Sequence, residues 1–258
     1  MISKDQVKNL SKQFQISEAV VAREYMQLLF LKEFYAESWA GRIYFKGGTA
    51  IRLVYDGNRF SEDLDFSVGL SKLEFEKRAI SLFKKLEKIY PVLFKKKEAL
   101  AGTTYLMTAD LPDITGKIFI RLDFSLRNDV VEPMTETIRN RHYPILISSP
   151  IPVLGKDELL AEKIRAFLTR DKFRDFYDLW VLMELGAEIN TELINRKMAY
   201  YKEVFDKERF LTRLSQIKEE KFIQDLRPFV PIGQRDKLSE TFSYIQKYLK
   251  KAFVGMLQ

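Results

Sequence analysis

The chain has 258 residues, 46% hydrophobic and 31% charged, with a formal net charge of +7 and no cysteine. That size supports a full core, as one large domain or two modest ones, and the lack of cysteine excludes disulfides and thiolate metal sites. No apolar run is long enough for a membrane helix, the opening MISKDQVKNLSKQF has neither an apolar core nor a small-residue cleavage site, and the positive charge favours a polyanionic partner such as RNA. A cytoplasmic protein without a membrane partner fits these features.

In chain order, Ser17 to Phe34 carries apolar residues at helical spacing and predicts a helix. RIYF reads as a short strand running into Lys46-Gly47-Gly48-Thr49, and TAIRLVYDG as a helix that stops at Gly57. DLDFSV alternates as a strand, and SKLEFEKRAISLFKKLEKIY is an amphipathic helix ending before Pro91. Two more strands are expected in TTYLMTADL and KIFIRLDFSL. Between Asn128 and Pro152 the pattern is weak, with prolines at 133, 144, 150 and 152; from Asp157 onward it is nearly all helix. The shift predicts an α/β domain over residues 1–154 and a helical domain over 155–258, divided near Gly155.

The chemistry concentrates between Lys46 and Asp65. Residues two apart on a strand share a face, so Asp63 and Asp65 are neighbours while Leu64 and Phe66 point to the core. Two crowded carboxylates repel unless a cation joins them, and Mg²⁺ binds one or two carboxylates together with substrate phosphates. Gly47 and Gly48 allow a close backbone approach, the helix they open offers unpaired N–H groups to phosphate, Thr49 adds a hydroxyl and Lys46 a charge. Taken separately, a glycine pair is a tight turn and Asp-x-Asp a solvated strand edge. The P-loop spacing is absent; strand, glycine turn, helix and carboxylate strand in that order are a rarer combination than either part.

FKGGTAIRLVY followed by RFSEDLDF resembles the AbiEii/AbiGii toxin family of nucleotidyltransferases, MenA-type toxins included, within the DNA polymerase β-like superfamily. The superfamily signature is a glycine pair, a spacer and Asp-x-Asp; the spacer here is residues 50 to 62. Arg59 and Ser61 match the family's Arg-x-Ser before the aspartates, and ELLAEKIRAFLTRDKFRDFYDLWVL matches its lysine-bearing helix and Asp-x-x-Asp-Leu. The resemblance implies an α+β fold, a polymerase β-like core of a small mixed sheet flanked by helices, with a helical C-terminal half. It implies catalytic roles for Asp63, Asp65, Lys163, Asp175 and Asp178, and nucleotide contacts from Lys46, Gly47, Gly48, Thr49, Arg59 and Ser61. It also implies a site for two Mg²⁺ ions with a nucleoside triphosphate as substrate, and an antitoxin partner. Some family members add nucleotides to the acceptor end of tRNA.

The residues themselves leave alternatives open. Lys163 lies along the apolar side of its helix, where it snorkels or reaches into a cleft. Asp175 and Asp178 share a helix face and can activate an acceptor, orient Lys163, or simply pair with Arg170, Lys172 or Arg174. In KIFIRLDFSL, Ile118, Ile120, Leu122 and Phe124 form one face and Arg121, Asp123 and Ser125 the other, so Asp123 is the candidate third carboxylate, or a solvent-facing strand residue. His142, the sole histidine, has no partner motif; the Lys95–Lys97 cluster is a candidate nucleic-acid surface or a solvated run. The expected activity is Mg²⁺-dependent transfer of a nucleoside monophosphate to tRNA or other RNA. The alternatives are protein AMPylation by the same site, or a catalytically silent module that binds RNA or a partner.

Overall fold

The computed structural model describes residues 1–98, 102–112, 114–127, 129–140 and 142–255. Asn128, which opens the weakly patterned stretch, and the last three residues of the helical half lie outside the described residues. The chain forms two compact units: Met1–Asp56 with Phe60–Leu154, and Gly57–Arg59 with Gly155–Gln258.

In the first unit, α1 (Lys4–Phe14) starts on a reciprocal cap in which Ser3 and Gln6 exchange side chain and backbone hydrogen bonds of 2.9 and 3.2 Å. The helix expected from Ser17 is α2 (Glu18–Tyr35), with Ser17 as its N-cap. A 3₁₀ turn at Ser38–Arg42 leads into β1 (Ile43–Lys46), α3 (Gly47–Leu53), β2 (Leu64–Val68) and α4 (Lys72–Ile89). There follow β3 (Val92–Lys97), β4 (Thr103–Ala109), β5 (Ile118–Ser125), β6 (Pro133–Glu136) and β7 (Ile151–Leu154). The strands make one mixed seven-stranded sheet in the order β3-β4-β5-β2-β1-β7-β6. The β2–β5 and β1–β7 pairs are parallel, and the other pairs antiparallel.

Aromatic packing decides which face of this sheet is core. Phe34 of α2 lies 5.3 Å from Phe66 and 5.9 Å from Phe124, Phe75 of α4 lies 4.6 Å from Phe124, and the Phe66 and Phe124 rings stack at 4.8 Å. With Phe66 and Phe124 under the helices, strand alternation turns Asp65, Arg121 and Asp123 to the opposite face. The mixed sheet flanked by helices and followed by helices is the fold class that the motifs imply.

Local differences have local causes. Helix α3 starts at Gly47, earlier than the apolar pattern indicates, and ends at Leu53; the chain then turns through Asp56 at φ 57°. The pattern does not announce β3 because Lys95–Lys97 end it; as an edge strand it carries the lysines that discourage further strand pairing. Strands β6 and β7 are four residues each and contain Pro133 and Pro152, which blurs their signal.

The second unit holds α5 (Lys156–Thr169), α6 (Arg174–Glu184), α7 (Thr191–Ala199), α8 (Lys207–Ser215), α9 (Glu219–Leu226) and α10 (Leu238–Gly255). Phe210 and Phe253 stack at 3.9 Å, Phe176 meets Phe222 edge-on at 5.5 Å, and a buried Lys197–Glu158 pair of 2.5 Å joins α7 to α5. Among the described residues, no helix is long and apolar enough to cross a membrane.

Candidate active site

Two clusters of charge, one in each unit, contain most of the residues singled out by the sequence. In the first unit, β1 delivers Lys46 and Gly47 beside Asp65, because the antiparallel β1–β2 register sets Lys46 opposite Asp65. Gly47 has φ +77°, a conformation that disfavours side chains. A Cβ there would also fall 2.8 Å from Asp65 Cγ and 2.9 Å from its Cβ, so the glycine lets the turn close onto the carboxylate. The Thr49 hydroxyl donates to the Asp63 carbonyl, tying the first turn of α3 to the residue that precedes β2. Buried Gln27 of α2 holds the same approach through Nε2, which donates to the Ser61 and Glu62 carbonyls at 3.1 and 2.9 Å.

The parallel register of β2 and β5 sets Asp65 opposite Asp123. Thr104 on β4, in register with Asp123, donates its hydroxyl to Asp123 Oδ1 at 2.6 Å. Arg121 spans the remaining gap: its Nη2 is 2.9 Å from Asp63 Oδ2 and its Nε 2.7 Å from Asp123 Oδ2. Asp63 and Asp123 are half-buried, 30% and 29% exposed, and Arg121 is exposed at 45%. Strand alternation places Arg121 on the carboxylate face, but its function as the link between Asp63 and Asp123 depends on the β2–β5 register, which no local pattern encodes.

The donor set suits a hard divalent cation, since Asp63, Asp65 and Asp123 offer only oxygen. A guanidinium between two of the three shows that this face accommodates positive charge. Among the described residues, no three His, Cys, Asp or Glu side chains are grouped closely enough to share a metal ion.

The cluster of the second unit is buried apart from Arg170 at its edge, which is 46% exposed. Arg59 grips Asp178 with two nitrogens, Nε to Oδ1 and Nη2 to Oδ2, both at 2.6 Å. Lys163 of α5 sits between the α6 carboxylates, 2.6 Å from Asp178 Oδ2 and 2.8 Å from Asp175 Oδ1. Arg170 closes the row with Nε 2.7 Å from Asp175 Oδ2 and Nη2 3.0 Å from Oδ1. Asp175 and Asp178 are 1% exposed, Arg59 6% and Lys163 7%. Lys163 therefore reaches inward instead of snorkelling, and of the three cations suggested by the sequence as partners for the α6 aspartates, Arg170 pairs with Asp175 while Arg174 turns to Asp225 at 3.3 Å.

The pairing outweighs burial for every one of these groups. Burial alone would raise the Asp178 carboxyl, but Arg59 and Lys163 hold it below the usual carboxylate range. Burial likewise opposes ionisation of Asp175, and Lys163 with Arg170 draws it far below that range. Desolvation disfavours the Lys163 ammonium, yet Asp175 and Asp178 raise it above an ordinary lysine. All four buried groups are thus fixed as ions.

The model of the nucleotidyl transferase AbiEii toxin family, type IV TA system, matches residues 29–246. In fold, the chain is similar to MenT4, a nucleotidyltransferase toxin from Mycobacterium tuberculosis H37Rv, at 17% identity and a TM-score of 0.68, with 96% of this chain and 90% of that one covered. It is also similar to JHP933 from Helicobacter pylori, at 20% identity and a TM-score of 0.52, covering 93% of this chain and 97% of that one. No curated protein matches the chain in sequence at a significant level.

Proposed function

The chain belongs to the AbiEii nucleotidyltransferase toxins of type IV toxin–antitoxin systems, and from that premise we propose that it transfers a nucleoside monophosphate from a ribonucleoside triphosphate to the 3′ end of a tRNA, releasing pyrophosphate. The observation that carries this reading is the carboxylate face, where Asp65 and Asp123 lie in register and Asp63 is linked to Asp123, all beside a glycine turn closed onto Asp65. The net charge of +7 suits a polyanionic acceptor. Membership of a toxin–antitoxin family brings an antitoxin partner, and the cytoplasm is the setting where tRNA is available.

In this reading Asp63, Asp65 and Asp123 hold Mg²⁺. When bound, the metal neutralises phosphate charge and eases deprotonation of the acceptor hydroxyl. The chain's own groups do the positioning. The Gly48 and Thr49 amides, at the start of α3, offer N–H groups to phosphate oxygens, and Lys46 adds positive charge beside them. Thr49 and Gln27 keep Asp63 and its approach in place from behind.

Within its own unit Lys163 is held as a cation by Asp175 and Asp178, and it is the lysine that this reading assigns to the phosphates. Asp175 and Asp178, fixed as anions, orient Lys163. Arg59 acts through Asp178, on which both its Nε and Nη2 are already committed. The reaction then rests on placement and charge compensation, with no covalent intermediate on the protein.

The test is transfer of label from each of the four α-labelled ribonucleoside triphosphates, with Mg²⁺, to total tRNA and to total protein, with Asp63→Ala alongside. Label in tRNA that vanishes in the variant is the expected result and names the nucleotide. Label in protein keeps the chemistry and replaces the acceptor. No label in either, from folded protein, overturns the transferase reading in favour of a binding module.

A further inference from the structure

Arg121 makes an unusual use of its guanidinium. Two nitrogens of one side chain reach two different carboxylates, Asp63 at 2.9 Å and Asp123 at 2.7 Å, instead of gripping one carboxylate in a fork as Arg59 grips Asp178. Resting on the metal-dependent reading above, we propose that Arg121 is an internal counter-ion. It occupies the cation's place between Asp63 and Asp123 until a divalent metal displaces it, and its freed charge then serves the triphosphate.

The placement follows from the sheet. Leu64 pairs with Leu122 and Asp65 with Asp123 in the parallel β2–β5 register, which brings the residues just before them, Asp63 and Arg121, alongside each other. Arg121 and Asp123 are two apart on β5 and share the face turned away from the buried Ile120, Leu122 and Phe124. Without a cation, Asp63 and Asp123 on this face would repel; the guanidinium satisfies both.

The link is built to be exchanged. Its partners are between 29% and 45% exposed, so their attraction is screened by solvent and reversible. A divalent ion carries twice the charge of a guanidinium and takes carboxylate oxygen directly. Arg121 engages Asp63 Oδ2 and Asp123 Oδ2, oxygens that a metal at this face would take, so its release is part of assembling the metal site. A guanidinium does not shed its proton at any working pH, so the released side chain remains a cation beside the metal, available to the triphosphate oxygens. Metal binding then promotes nucleotide binding through one side chain, and the coupling is reciprocal.

The experiment is Mn²⁺ titration by calorimetry on the full chain, comparing wild type, Arg121→Gln, Arg121→Lys and Asp63→Asn, followed by titration with α,β-methylene-ATP at saturating Mn²⁺. Circular dichroism checks that each variant is folded. Arg121→Gln is expected to bind Mn²⁺ about tenfold tighter than wild type and the nucleotide about tenfold more weakly. Arg121→Lys, which keeps the charge but cannot span both carboxylates, falls between, and Asp63→Asn loses Mn²⁺ affinity. Equal Mn²⁺ affinity in wild type and Arg121→Gln overturns the counter-ion role and leaves the metal reading standing. Tighter Mn²⁺ with unchanged nucleotide affinity overturns the transfer of Arg121 to the triphosphate. No Mn²⁺ binding by either protein overturns the metal-dependent reading, and this inference with it.

Discussion

The two charge clusters use the same residue types to opposite ends. On the sheet, the Arg121 bridge to Asp63 and Asp123 is between 29% and 45% exposed and open to exchange. In the helical unit, Arg59, Lys163, Asp175 and Asp178 are at most 7% exposed, and each ion is held by another. A charge in water can be traded for a ligand at little cost. A buried one is fixed by its partners and costs several kcal/mol when a partner is removed. On the proposed reading, one cluster is a place to load and the other positions a lysine.

The contrast breaks most sharply at Asp178. Replacing it by alanine removes the carboxylate that Arg59 grips with two nitrogens and leaves Lys163 with Asp175 as its remaining α6 carboxylate, and the helical unit should lose about 3–5 kcal/mol. The chain's two tryptophans, Trp39 and Trp180, fall one in each unit, so urea unfolding can be followed in each separately after Trp39→Phe or Trp180→Phe. The Asp178→Ala loss belongs to the Trp180 signal. A loss below about 1 kcal/mol, the range of exposed pairs, would remove the distinction between the clusters.

Asp65→Asn is the converse case. It removes a charge from the loadable cluster and is expected to cut nucleotidyl transfer by about 10²–10³-fold, while the Trp39 unfolding midpoint stays close to wild type. If the midpoint falls as far as the Trp180 midpoint does in Asp178→Ala, the sheet carboxylates are structural and not poised for a ligand.

Gly47→Ala sharpens the same point through the backbone. Alanine in the left-handed region costs about 1–2 kcal/mol, and its methyl would press on the Asp65 side chain. Transfer activity should therefore fall by more than the stability change accounts for, because the carboxylate itself is moved. Equal losses in stability and activity would mean that the glycine serves only the turn.

Legibility from sequence follows the range of each interaction. Strand alternation is local, so the buried face of β5 and the turning of Asp123 away from it follow from KIFIRLDFSL. The inward reach of Lys163 is foreshadowed by its apolar neighbours one turn away. The role of Arg121 stays hidden because it requires β2 to lie parallel to β5 in one register. The seat of Arg59 is hidden for a stronger reason: its partner Asp178 is 119 residues away in sequence. Edge strand β3 is obscured by Lys95–Lys97, whose charges suit its position at the sheet's border and erase its apolar signature.

The smallest effect near neutral pH, and the one that separates the clusters by their protons, is acid stability. Asp175 and Asp178 have folded values below the unfolded carboxylate range. Their contribution is therefore complete above that range, near pH ~4, and is lost as pH falls through the lower folded values. Lys163 is raised, so its contribution is complete below the unfolded lysine value of about 10.4 and is lost only as pH rises beyond it. Between these limits, the Trp180 unfolding free energy should not respond to these groups. Below pH ~4 it should decline, and Asp178→Asn, which has no proton to take up at that position, should decline less steeply from its lower starting point. An acid limb as steep in Asp178→Asn as in wild type would assign the proton uptake to other carboxylates and leave Asp178 without the linkage that its buried pairing requires.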